Sequence, residues 1–174
     1  MSPKPQIDKY ALFERVKYEP HEGQYDIHRS NARFRIACCG RRFGKSQAFG
    51  HEATTRMFIP DSMHWICGPT YKLGEKEFRV VYDDFKKMGL LGNCRKSYNV
   101  NQGQMRIHFK DLNSIIEVVS AEKQDSLVGE GLDSVIMSEA ALHRQTTWSM
   151  FIEPALSDKR GSADFPSTPR GFNW

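Results

Sequence analysis

The chain has 174 residues, 39% of them apolar and 26% charged, and a formal net charge of +4. That length suits one domain, which buries roughly 70% of the surface its unfolded chain exposes, and the composition argues against disorder. No apolar run approaches the roughly 18–20 residues of a membrane helix, and the opening MSPKPQIDKY lacks the apolar centre of a secretory signal.

Residues 1–32 read as a polar N-terminal extension, interrupted by Pro3, Pro5, Pro20 and Gly23. A short helix is expected over 7–16, a turn at 19–23, and a second short helix toward Ser30. The first clear strand is RFRIACC, 33–39, continuously apolar toward its end like a strand buried between helices. A glycine-containing loop follows at once, then a helix over 45–57 that ends before Pro60. Residues 63–67 make a second strand, closed by Gly68 and Pro69. The spacing of Phe78, Val81, Tyr82, Phe85 and Met88 predicts a helix over 73–88 with one buried face.

Two strands, 105–110 and 115–120, are joined by a tight turn and predict a hairpin laid against or extending the main sheet. A loop rich in charge and glycine, 121–133, leads into the strand SVIM at 134–137. A broken helix over 146–156 and a short strand in the tail SADFPSTPRGFNW complete the chain. The order of elements predicts an α/β fold: residues 33–174 form a mostly parallel sheet with helices on both faces and a β-hairpin. Ligands of such sheets lie beyond the carboxyl ends of the strands, where residues 41–46 and 138–139 fall.

Cys38, Cys39, Cys67 and Cys94 match no common zinc spacing and read as thiols, the first three within apolar runs. No histidine pair flanks a glutamate at helical spacing, so metalloprotease chemistry has no support. Arg29, Arg33, Arg35, Arg41, Arg42 and Lys45 gather near the glycine loop, which polyphosphate binding alone would explain.

The loop itself, Gly40-Arg41-Arg42-Phe43-Gly44-Lys45-Ser46, carries the chemistry. Backbone N–H groups and the following helix N-terminus suit a β-phosphate. Lys45 would reach the β- and γ-phosphates and Ser46 would bind Mg²⁺, while Gly44 allows the backbone close to the ligand. Cys39 stands where the eight-residue Walker A pattern has its first glycine. Downstream, VIMSEA delivers Ser138 and Glu139 to the same sheet edge. Glu139 is suited to direct and deprotonate a water aimed at the γ-phosphate. Ser138 occupies a position where an aspartate would hold the Mg²⁺ shell, so Ser138 acts through a metal-bound water, or Asp133 or another carboxylate assists, or hydrolysis is weak. Either Arg41 or Arg42 could fold over the γ-phosphate as an arginine finger from within the chain. Gln24 could read an adenine edge, and Ser167-Thr168-Pro169 could form a polar switch that senses the γ-phosphate. Arg95, Lys96 and Arg106 could line a DNA track or form a solvated surface.

Together, the GRRFGKS loop, the upstream EPHEGQYDIH, WICGPTYK, SLVGEGLDSVIMSEAA and the terminal STPRGFNW make the chain resemble the ATPase motor of the large terminase subunit of tailed bacteriophages. The resemblance spans nearly the whole chain. It implies a P-loop NTPase of the ASCE/RecA-like type that uses ATP and Mg²⁺. It also implies adenine contact at Gln24, an arginine acting in cis at Arg41, phosphate and magnesium contacts at Lys45 and Ser46, catalysis at Glu139, and coupling through Ser167-Thr168-Pro169. The partners implied are double-stranded DNA, a portal protein, a small terminase subunit and further copies in a ring on the portal, within the host cytoplasm. Such proteins carry a C-terminal ribonuclease H-type nuclease, whereas this chain ends at Trp174, so it reads as a fragment or shortened form that does not cut DNA. A helicase-like DNA-dependent ATPase and a nucleotide-binding structural domain with weak hydrolysis are the alternatives.

Overall fold

The computed structural model describes residues 8–123, 127 and 131–170. The predicted helix start at Ile7, part of the loop at 121–133 and the final GFNW lie outside these residues. Seven strands, β1 (Phe34–Cys38), β2 (Met63–Gly68), β3 (Cys94–Asn99), β4 (Gln104–Phe109), β5 (Ser114–Ser120), β6 (Ser134–Met137) and β7 (Ser162–Ser167), form one sheet. Their order is β1-β7-β6-β2-β5-β4-β3. The first five strands in that order run parallel, and β4 pairs antiparallel with both β5 and β3. The predicted hairpin therefore extends the main sheet, because β5 pairs with both β4 and β2. Strand β3 gave no apolar signal: CRKSYN buries only Cys94.

Helices α3 (Lys45–Arg56) and α4 (Tyr71–Lys87) cover one face. Phe49, Ala53, Phe78, Val81 and Phe85 pack there on Ile66, Ile107, Ile116 and Val118. The other face packs Trp65, Val119, Val135 and Met137 against Ile152 and Leu156. Those last two come from a continuous helical stretch, α5 (Gln145–Thr147), a π turn (Trp148–Ile152) and α6 (Glu153–Ser157). The break expected in this helix is the π turn, and Pro154 follows it in the first turn of α6.

Strand β1 departs from its predicted surroundings. It lies at the sheet edge, and alternation governs its burial: Arg35 and Ala37 face inward, while Phe34, Ile36 and Cys38 are exposed, Ile36 by 80%. A run of apolar residues does not by itself say whether both faces are covered. Strand β7, the expected tail strand, inserts between β1 and β6. Its Pro166 lies beyond the last residue paired with β6, so no ladder bond on that side is lost.

The N-terminal residues are held by buried charge. Helices α1 (Lys9–Arg15) and α2 (Glu22–Arg29) pack beside α3. Arg35 donates from Nε to Asp164 Oδ1 at 2.6 Å and from NH2 to Glu52 Oε2 at 3.1 Å. Arg56 reaches Asp164 Oδ2 at 2.6 Å, and His28 Nδ1 and Lys9 Nζ reach Glu52 Oε1 at 2.7 and 3.1 Å. One network thus ties α1, α2, β1, α3 and β7 together. Arg35 belongs to it and not to the phosphate surroundings expected from the sequence. Arg33 donates to the Gly161 carbonyl and Arg29 pairs with Asp26, which leaves Arg41, Arg42 and Lys45 as the loop's own cations.

Candidate nucleotide site

Residues 40–46 link the carboxyl end of β1 to the N-terminus of α3. Gly44 caps that helix with φ of +87°, a left-handed conformation that costs L-residues with a side chain roughly 1–2 kcal/mol. Arg42 is also left-handed, φ 64°. Lys45 folds back over the loop: its Nζ donates to the Cys39 and Gly40 carbonyls at 3.0 Å each and to Thr168 Oγ1 at 3.1 Å.

The segment upstream of β1 braces this loop. Gln24 is buried; its Nε2 donates to the Gly44 carbonyl at 3.1 Å and its Oε1 accepts from the His21 N–H at 3.1 Å. His21 Nε2 lies 2.9 Å from the Phe43 carbonyl, and its ring meets the Phe43 ring edge-to-face. Phe43 therefore staples the loop to α2. The amide of Gln24 is engaged in the same clamp.

Strand β6 ends beside the loop. Glu139, the next residue but one, holds φ 51° and ψ 53°, a strained backbone for a residue with a side chain. Its carboxylate lies 3.9 Å from Lys76 Nζ on α4. Arg41, Arg42, Gly44, Lys45, Ser46, Lys76, Glu139 and Thr168 line one cavity of about 720 Å³. Neither Arg41 nor Arg42 makes an ion pair among the described residues, and both are exposed. Gly40 borders the loop on its solvent side.

Strand β7 connects the two halves of the cavity. The Ser167 carbonyl accepts from the Cys39 N–H at 3.0 Å, and Ser167 Oγ accepts from the Ala141 N–H at 3.0 Å. Thr168 holds Lys45, and Pro169 lines the cavity rim. Ser167-Thr168 thus touches both the phosphate loop and the segment carrying Glu139.

Ser138 is fully buried, and its Oγ lies 3.0 Å from Glu77 Oε2 and 3.3 Å from the Leu73 carbonyl. Glu77, on α4, is 1% exposed, and the Ser46 hydroxyl is near enough to favour its charged form. Burial pushes Glu77 up to about 7, against the opposing influence of the Ser46 and Ser138 hydroxyls. Asp133 lies at the opposite end of β6, bonded to the Met63 N–H and Lys159. His143 donates from Nε2 to the Ser138 carbonyl, and burial holds it below the usual histidine range despite that bond.

Sequence reasoning missed Glu77, Lys76 and the Gln24–Gly44 clamp. Glu77 reads in sequence as an ordinary helical carboxylate; only the fixed seat of α4 reveals it. No cluster of three or more metal-binding side chains occurs among the described residues. Magnesium, however, is commonly held by one or two carboxylates plus phosphate and water, and the oxygen donors of Ser46 and Glu77 fit that requirement. Arg95, Lys96, Ser97, Arg106 and His108 do converge, on a separate 330 Å³ groove along β3 and β4.

A lysine-bearing loop after the edge strand, with β7 placed between it and the strand bearing Glu139, defines a P-loop NTPase of the RecA-like class. No protein-family model matches the chain. The large terminase subunits of Thermus phage G20c and Thermus virus P23-45 are each 36% identical to it over 180 residues. Those alignments cover 96% of this chain and 37% of the relatives, so it spans little more than a third of their length. The large terminase ATPase domain of Thermus phage P74-26 superimposes with a TM-score of 0.83 at 37% identity, covering 99% of this chain and 72% of that one. The large terminase of bacteriophage HK97 shares the fold, with a TM-score of 0.72 at 9% identity. The chain belongs to the phage large-terminase family, in the region of its ATPase domain. No helix among the described residues is long and apolar enough to cross a membrane.

Proposed function

We propose that this chain binds ATP with Mg²⁺ at the 40–46 loop and hydrolyses it as the motor part of a terminase that moves double-stranded DNA into a procapsid. The observation that carries the reading is the shared cavity, which brings Lys45 and Ser46 from one strand end and Glu139 from another against a single volume. Lys45 would exchange its carbonyl and Thr168 partners for the β- and γ-phosphates. Gly40, Arg42, Phe43 and Gly44 would supply backbone N–H groups to the phosphates. Ser46 would hold magnesium as its protein ligand, with Ser138 behind it, and the ion would neutralise phosphate charge.

Glu139 would orient the attacking water and take its proton, with Lys76 holding the carboxylate at the cavity wall. Arg41, exposed and without an ion-pair partner among the described residues, has the freedom to close over the γ-phosphate in cis. Gln24 retains one amide hydrogen beyond its bond to Gly44 and would offer it to adenine, so residues 1–32 would serve as the base-side brace of an ATPase domain at 33–174. Ser167-Thr168-Pro169 would transmit the loss of the γ-phosphate, because Thr168 already senses Lys45.

The partners that follow from this reading are duplex DNA, a portal protein, a small terminase subunit and further copies of the chain in a ring, in the host cytoplasm. Lys45→Ala tests its first step. A fluorescent ATP analogue should bind roughly 10–100-fold more weakly, the loss of a charged hydrogen-bond partner. Undiminished binding would overturn the nucleotide assignment.

A further inference from the structure

The Ser138 position lacks the carboxylate that a magnesium shell needs from the end of β6, yet the structure carries one in the same place from another element. Glu77 rises from α4 with its side chain enclosed, 1% exposed; Ser138 donates to it at 3.0 Å, and Ser46, the loop hydroxyl, is near enough to favour its charge. A buried carboxylate beside two hydroxyls and no cation is costly unless its charge finds a partner. Among the described residues its nearest cationic influence is Lys76, its neighbour on α4, which points to Glu139.

The seat of α4 is built for this approach. Gly50, one turn after Ser46 on α3, lies against α4 so closely that a Cβ there would fall 2.5 Å from Val80 Cβ and 3.0 Å from the Glu77 carbonyl. A side chain at position 50 would push α4 outward and withdraw Glu77 from Ser46. On the other side, Ser138 Oγ and the Leu73 carbonyl are 3.3 Å apart, so α4 also rests on the end of β6. The helix is thus held against α3 on one side and against the end of β6 on the other.

Building on the nucleotide-binding reading, we infer that Glu77 supplies the carboxylate of the magnesium shell in place of an acidic residue at position 138, with Ser138 as the hydroxyl that orients it. The carboxylate has moved from strand to helix: Glu77 stands near Ser46 and would anchor that hydroxyl toward the cation, and Ser138 fixes the rotamer of Glu77 by donating to it. A small hydroxyl at 138 is required by this arrangement, because an aspartate there would place two buried carboxylates within hydrogen-bonding distance of one another.

The test uses the full chain with ADP and Mn²⁺, free Mn²⁺ being counted by its electron paramagnetic resonance signal. Glu77→Gln keeps the shape and one acceptor, and is expected to weaken Mn²⁺ binding in the nucleotide complex roughly 10–100-fold, the usual loss on removing a group that orients a metal ligand. ADP binding in EDTA should persist. Adding Ser138→Asp to Glu77→Gln is expected to return Mn²⁺ affinity toward that of the parent chain, which a merely structural role for Glu77 would not do. Unchanged Mn²⁺ affinity in Glu77→Gln, or a double variant no better than the single one, overturns the inference. A parent chain that binds no ADP at all would instead overturn the nucleotide reading on which it rests.

Discussion

Glu139→Gln is expected to lower phosphate release from ATP roughly 10²–10⁴-fold, the contribution of a positioned general base, while ATP still binds. Glutamine keeps the length and the hydrogen-bonding reach of the side chain but cannot accept the proton of the attacking water. The fold should tolerate the change. Glu139 is partly exposed, and its ion pair with Lys76, at 3.9 Å, joins side chains 24% and 43% exposed, where such pairs contribute little to stability. The left-handed backbone at position 139 is common to both residues and is fixed by the chain around it. Release measured under saturating ATP, alongside binding of a fluorescent analogue, separates the two effects. Turnover equal to that of the parent chain would remove Glu139 from the chemistry.

The second large effect is on stability. Asp164 is fully buried on β7 and receives Arg35 through two nitrogens, at 2.6 and 3.0 Å, and Arg56 at 2.6 Å. Asp164→Asn leaves both guanidiniums without their shared anion, and breaking a buried pair in this way costs about 3–5 kcal/mol. For a chain of this size that corresponds to a fall in melting temperature of roughly 6–20 °C. A fall of only a degree or two would mean that Glu52 alone satisfies Arg35. The same network gives an acid dependence. Burial by itself would raise Glu52, but the hydrogen bond from His28 and the charges of Arg35, Arg56 and Lys9 more than reverse this and hold it well below the usual carboxylate range. A depressed carboxylate stabilises the fold above its unfolded value, about 4.3, and that stability is lost as pH falls below it. Denaturant midpoints should therefore decline steeply below about pH 4.

The parts legible in the sequence were those whose signal is local. The loop at 40–46, the strand SVIM at Ser134–Met137 and the helix beginning at Lys45 each declare themselves within a few residues. The hairpin too was readable, since β4 alternates and β5 is apolar. Strand β3 was not, because it lies at the far edge with Arg95, Lys96 and Asn99 exposed and carries no apolar period. The open side of β1 was hidden for the opposite reason: Phe34 and Ile36 are apolar yet uncovered among the described residues. In the site, Lys45, Ser46 and Glu139 follow from motif spacing. Glu77 and Gln24 lie 31 and 20 residues in sequence from Ser46 and Gly44, and only the packing of α4 and α2 brings them near. Nothing in the identity of Ser138 points along the sequence to Glu77, its hydrogen-bond partner on α4.

The measurement closest to the central claim is phosphate release from ATP by the purified chain in magnesium, with and without duplex DNA. Release above the level of Glu139→Gln, abolished by EDTA, is the expected result. Tight nucleotide binding with release no faster than that variant, in either condition, would contradict it and leave a nucleotide-binding domain without turnover.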